Sequence, residues 1–330
     1  MKEPAQSRPN IFSYATSELS QDAVISWILE WADPAYRETD SALHGVARDF
    51  VAALFRRAGV DPPSHDSEVR VAQQVKGADI VVEVGHDHLL IVEDKIHSTE
   101  HSDQLTRYQE SLRNDHPDRT LVCVYLKTGD QSTYDGVERS GWSVFTRVDL
   151  LEVFRGGRGT VRHDVFIDFL EHVESIESAA NRYQTVPPTE WAPRDDAYTG
   201  LYRALQSCLP DANWEFVNNP RGGFRGFWWG WRPIDGGQIY LQLEEQRLVV
   251  KVEVEDRDRR REVRDHWVDR VVMGMRGFRR PTTLGHGAYM TVGTSEQDYR
   301  RVGADGLLDL SQTAVFLTEV GGRLQSLFAT

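Results

Sequence analysis

The sequence predicts an α/β amino-terminal unit, a mixed sheet flanked by helices, followed by a smaller α+β unit built on an antiparallel meander. Three observations carry this expectation. From about residue 20 to residue 178, helical and strand periodicities follow one another in an α/β order. The stretch NRYQTVPPTEWAPRDD, with three prolines, then interrupts the pattern and reads as a linker. Beyond it, apolar–polar alternation returns in short runs separated by glycine-rich turns. The expected boundaries are therefore 1–180 for the first unit, 181–196 for the linker and 197–330 for the accessory unit.

In the first unit, Val24, Trp27, Ile28 and Trp31 recur at helical spacing, with Ser20 as the expected N-cap, Asp22 in the first turn and Asp33-Pro34 as the stop. A second helix is expected from Ser41 to Ala58, with Leu43, Val46, Phe50, Ala53 and Leu54 on one face. Glu68 to Val75, Ile80 to Val84 and Leu89 to Val92 read as strands. A helix from about Thr99 to Asn114 follows, then the apolar run TLVCVYL, a strand near Trp142 to Phe145, and helices near 148–154 and 163–178. In the second unit NWEFV, FRGFWWGWRP, GQIYLQLEEQ and RLVVKVEVE form the meander. RDRRREVRDHWVDRVVMGM reads as a helix with Val263, Trp267, Val268 and Val271 facing inward.

Bulk properties narrow the function classes. The 330 residues are 40% apolar and 27% charged, the profile of a soluble globular protein, and no run approaches the roughly 20 apolar residues of a bilayer span. Cys123 and Cys208 suggest neither a disulfide framework nor a zinc ribbon, and MKEPAQSRPN lacks the apolar core of an export signal, so a cytoplasmic location is expected. A net charge of −13 argues against a protein that coats nucleic acid through phosphate contacts. It leaves room for an enzyme whose carboxylates hold metal ions.

The segment GADIVVEVGHDHLLIVEDK sets carboxylates and a lysine against two core strands. Strand alternation puts Glu93 and Lys95 on one face and Asp94 on the other. Asp79 joins Glu93 and Lys95 only if it lies opposite residue 93 or 95. That requires an odd connecting loop such as Gly85-His86-Asp87, or a bulge; a loop of two or four residues would put it on the wrong side. Two carboxylates with a phosphate oxygen and waters suit Mg²⁺ (or Mn²⁺), and a neighbouring lysine can orient a water and offset phosphate charge.

This pattern resembles the PD-(D/E)XK nuclease superfamily, in which an Asp and a strand precede (Asp/Glu)-x-Lys. Asp79 and Glu93-Asp94-Lys95 match it, with Ala78 where a proline often stands. Gln104 to Tyr108 looks like the Gln-x-x-x-Tyr signature of the RecB-like branch, and the two side chains share a helix face. NIFSYATSELSQDAVISWIL resembles the first helix of bacterial members, where Glu18 is the matching candidate for a further metal ligand. The resemblance spans about 10–175 and implies a restriction-endonuclease-like fold and a metal-dependent nuclease acting on DNA. Asp79 and Glu93 would be metal ligands, Lys95 would position water, and Gln104 and Tyr108 would support them. Bacterial defence or DNA repair is the implied setting. The alternatives are an RNA-cleaving enzyme, or a catalytically inactive binding and assembly module.

Plainer readings stand beside these. Asp79 could cap a strand, Glu93 and Lys95 could be a surface ion pair, and Tyr108, near Leu105 and Leu112, could be a core residue. Glu18 could serve the helix dipole, with Glu68 as a rival carboxylate. His97 and His101 have i, i+4 spacing suited to zinc if both are helical, whereas His86 and His88 belong to a hairpin tip. In the second unit, Arg247 to Arg280 holds eleven Arg or Lys against seven Asp or Glu, near Phe227, Trp228, Trp229 and Trp231. A nucleic-acid surface is one reading; a solvated helix face over core tryptophans is the favoured one. Arg221 and Arg225 of the glycine-rich NPRGGFRGF are the better candidates for nucleic-acid contact. The second unit would select substrate, sense a ligand, bind an activator or partner protein, or build a homo-oligomer.

Overall fold

The computed structural model describes residues 8–100, 103–220 and 222–329. They fold as two compact units that meet between Glu177 and Ser178.

The first unit is a five-stranded mixed sheet with helices on both faces. Its elements run α1 (Glu18–Glu30), α2 (Ser41–Arg57), β1 (Val69–Val75), β2 (Ala78–Val84), β3 (His88–Lys95), α3 (Gln104–Asp115), β4 (Thr120–Lys127), α4 (Asp135–Arg139), β5 (Ser143–Thr146), α5 (Arg147–Phe154) and α6 (Asp164–Asn181). The strand order is β1-β2-β3-β4-β5, antiparallel through β3 and parallel from β3 to β5. Alternation along β2 and β3 sends Ile80, Val82, Leu90 and Val92 to a core shared with α1, α2, α5 and α6. Val81, Leu89 and Ile91 face a smaller core with Leu105 and Leu112 of α3. Strands buried on both faces explain the near-continuous apolar runs in the sequence.

Helix ends follow side-chain chemistry. Asp40 caps α2 by accepting from the Leu43 N–H, and Thr146 with Asp149 closes a capping box at α5. At α1 the cap is Ser17 rather than the expected Ser20, whose own N–H donates to the Ser17 hydroxyl oxygen. The helix therefore begins earlier, and Glu18 occupies its first turn.

The second unit is α7 (Asp196–Gln206), β6 (Asn213–Val217), β7 (Phe224–Ile234), β8 (Gly237–Glu244), β9 (Arg247–Glu253), α8 (Arg260–Gly274), β10 (Phe278–Arg279), β11 (Tyr289–Ser295) and α9 (Leu310–Ser326). Its sheet is antiparallel throughout, in the order β10-β11-β9-β8-β7-β6. The segment expected to be a linker, 181–196, is instead largely part of this unit. It forms two 3₁₀ turns and buries Tyr183 and Trp191 in the second core, because two large aromatics outweigh the prolines that flank them. No helix among the described residues is long and apolar enough to cross a membrane.

Candidate active site

The β2–β3 hairpin decides the site. Val84 pairs with His88 and Ile80 with Val92, so the loop is Gly85-His86-Asp87, three residues long. Gly85 takes φ +59°, which a Cβ disfavours. Continuing that register puts Asp79 opposite Glu93. The Lys95 ammonium then donates to Glu93 Oε1 at 2.5 Å and to Asp79 Oδ2 at 3.2 Å, and Asp79 Oδ2 also accepts the Asp94 N–H at 3.0 Å. Gln104, at the start of α3, donates to the same Glu93 oxygen at 2.5 Å. Glu93 is 0% exposed, so this is no surface ion pair.

Helix α1 supplies the next layer. Glu18 Oε1 accepts from the N–H groups of Ile96 and Ser98, at 3.0 and 3.3 Å, and from the Ser98 hydroxyl at 2.6 Å. On the opposite face of β3, the buried Asp94 accepts from Gln21 Nε2 at 2.6 Å, while Gln21 Oε1 accepts from Thr128 at 2.7 Å. The next strand ends in Lys127, buried beside Lys95 in parallel register.

Charge crowding shows in the proton affinities. Burial, then the Asp79 charge, pushes Glu93 up to about 7 despite its contact with Lys95. Burial and the Asp79 charge raise Asp22 to about 6, and burial with the Asp22 charge holds Asp94 well above the carboxylate range. Burial alone would depress Lys95, but the bond to Glu93 and the charges of Glu93 and Asp79 outweigh it, so the ammonium is reinforced. Burial lowers Lys127 to about 8. At Glu18 the Ser98 and Ile96 donors overcome burial and the carboxylate is stabilised.

The remaining candidates separate. Tyr108 enters no hydrogen bond among the described residues. Its ring packs at the edge of the smaller core against Gly77, where a Cβ would lie 2.6 Å from the ring. Glu68 is exposed and pairs with Arg70, away from the cluster. His97 is exposed and precedes α3, so it lacks the helical i, i+4 partnership, and His101 lies outside the described residues. His86 and His88 sit at the hairpin end, with His88 against Phe55. Arg225 is committed to Asp196, and Arg221 lies outside the described residues. Phe227 and Trp229 are core residues, Trp231 stacks on Tyr240, and α8 carries a solvated Arg261–Asp265 ion pair and a buried Arg264 that also reaches Asp265.

Sequence reasoning missed Gln21, Ser98, Lys127 and Thr128, and assigned Asp22 only to a helix turn. The i, i+4 spacing of Glu18 and Asp22 is the one sequence signal that pointed to a shared face.

Residues 9–152 match the family model of the PD-(D/E)XK nuclease superfamily. No curated protein and no solved structure matches the chain. The mixed sheet, with Asp79, Glu93 and Lys95 gathered at the ends of its inner strands β2 and β3, is consistent with that fold, and residues 9–152 of this chain are similar to the PD-(D/E)XK nuclease superfamily.

Proposed function

We propose that this chain is a divalent-metal-dependent endonuclease that hydrolyses phosphodiester bonds in DNA in the cytoplasm, in defence against foreign DNA or in repair. The observation that carries the reading is the convergence of Asp79, Glu93 and Lys95, with Glu93 Oε2 buried and without a hydrogen-bond partner. An orphaned buried carboxylate oxygen costs free energy that a hard cation would recover. The donor set is all oxygen, which suits Mg²⁺ or Mn²⁺. Among the described residues no three His, Cys, Asp or Glu side chains form a ready-made shell. Two carboxylates completed by water and phosphate meet the needs of Mg²⁺, which keeps several waters.

Asp79 and Glu93 would hold the ion, with Glu18 as a further ligand. Bound there, the ion would supply charge stabilisation and a more acidic water. Lys95, kept protonated by its two carboxylates, orients the attacking water and offsets phosphate charge. Gln104 fixes Glu93 Oε1 and leaves Oε2 available. Tyr108 supports Gln104 only by packing, through the face of α3 they share.

The test is cleavage of supercoiled plasmid, linear DNA and single-stranded RNA with Mg²⁺ or Mn²⁺. The expected result is metal-dependent nicking of the plasmid, reduced at least about 10²-fold in Lys95→Ala and Asp79→Ala. Cutting of RNA alone would reassign the substrate. With neither cutting nor Mn²⁺ binding, the inactive binding-module reading would replace this one.

A further inference from the structure

Lys127 is a buried cation with no assigned task. It is 1% exposed, and no carboxylate lies within ion-pair distance of it among the described residues. Burying an ammonium costs several kcal/mol unless a partner offsets it, and an apolar side chain of similar volume would fill the space at lower cost. Its hydrogen bond goes to the Ser98 carbonyl. Ser98 is also the residue that seats Glu18, through its N–H and its hydroxyl.

The end of β4 is a fixed post from which a lysine can act. Arg147 donates to the Thr128 carbonyl at 2.6 Å and to both Asp130 oxygens at 3.0 Å. The Thr128 N–H donates to the Lys95 carbonyl at 3.2 Å. Gly129 lies so close to segment 96–98 that a Cβ there would fall 1.9 Å from the Ile96 carbonyl oxygen. The segment following β3 is thus pressed against β4 on one side and presents its donors to α1 on the other. Glu18 Oε1 takes three of those donors, while Oε2 takes no hydrogen bond among the described residues.

We propose that Lys127 is a positioning residue for Glu18: by holding the Ser98 carbonyl it fixes the segment that anchors one Glu18 oxygen and leaves the other available to a divalent cation. This inference rests on the reading of Glu18, with Asp79 and Glu93, as a metal carboxylate. Groups that orient a metal ligand typically change metal affinity about 10–100-fold when removed.

The test is isothermal titration of Mn²⁺ into the full chain, its Lys127→Met, Ser98→Ala, Glu18→Gln and Asp79→Ala variants, and the Glu18→Gln/Lys127→Met double variant. Lys127→Met is expected to raise the Mn²⁺ Kd about tenfold, and Ser98→Ala about threefold. On the Glu18→Gln background, Lys127→Met is expected to add less than about twofold, because residues acting through one another are not additive. A folded Lys127→Met that binds Mn²⁺ as tightly as the parent would overturn the proposal, as would a penalty that persists undiminished without the Glu18 carboxylate. Should Lys127→Met fail to fold, Lys127→Gln on the parent and Glu18→Gln backgrounds gives the same comparison. Loss of Mn²⁺ binding in Asp79→Ala alone leaves the metal site standing and removes the role of Lys127. Unchanged binding in Asp79→Ala removes the metal site itself.

Discussion

The β8–β9 turn and the β2–β3 site bury polar groups in opposite ways. In the six-stranded sheet, the β8–β9 turn is held by tyrosines. Tyr299 donates to the Glu245 carbonyl at 2.6 Å, and Tyr202 accepts the Glu245 N–H at 3.0 Å while donating to the Arg225 carbonyl. These are neutral groups, and they complete the hydrogen bonding of a turn in which Glu245 has φ +55°. At the site in the five-stranded sheet the buried groups are ionisable, and Asp22, Glu93 and Asp94 each keep an oxygen without a partner. At the turn, full hydrogen bonding fixes a shape; at the site, crowded carboxylates with unpartnered oxygens leave room for a cation.

Four experiments can break or sharpen this contrast. The largest effect is expected from Glu93→Gln, which should lower cleavage by about 10²-fold or more while leaving thermal stability at pH 8 unchanged or improved, since a buried charge is removed. A large drop in melting temperature would mean that Glu93 is an architectural residue like Tyr299.

The second concerns pH, with EDTA present. Glu93 and Asp22 are raised to about 7 and about 6, above their unfolded values, so the folded state holds protons that the unfolded state has already released. Their contribution to stability is full below about pH 4 and is lost as pH rises through 6 and 7, by on the order of a few kcal/mol. Melting curves at pH 4.5, 6 and 7.5 should show the amino-terminal unit weakening along that series, with a shallower trend in Glu93→Gln. A flat profile would argue against the crowding.

Third, Tyr299→Phe should destabilise the second unit by about 1–3 kcal/mol, because the Glu245 carbonyl is left unbonded. Denaturant unfolding measures it, and a neutral result would equate the two kinds of burial. The smallest effect is at Ser17: Ser17→Ala should cost about 1 kcal/mol by removing the α1 cap, read from the same unfolding curves.

Much of the first sheet was legible because its information is local. Hairpin parity needs only the loop length, and Gly85-His86-Asp87 supplies it. The linkages Gln21–Thr128 and Glu18–Ser98 span 107 and 80 residues, and no periodicity encodes which distant residues a helix will meet. The second unit was legible in its meander but not in α7, β11 or α9. Helix α9 carries Gly321-Gly322 within its span, which weakens a helical pattern. Packing does not require the first of these, since a Cβ at Gly321 would stand 3.6 Å from Trp229 Nε1, an ordinary contact. The prolines of 181–196 misled for a related reason, since the local signal for a loop was correct and the burial of Trp191 is a tertiary fact.

The Gly85-His86-Asp87 turn has a consequence for how this chain can vary. Exposed hairpin tips are ordinarily where sequences gain and lose residues without penalty. Here the tip works like a reading frame. Insertion or deletion of one residue would exchange the faces of β2 against β3, carrying Asp79 away from Lys95 and turning Ile80 and Val82 out of their core. Changes of two residues would preserve the frame. Loop length at this position is therefore expected to evolve in even steps, and a library of tip lengths would separate active from inactive chains by parity rather than by size.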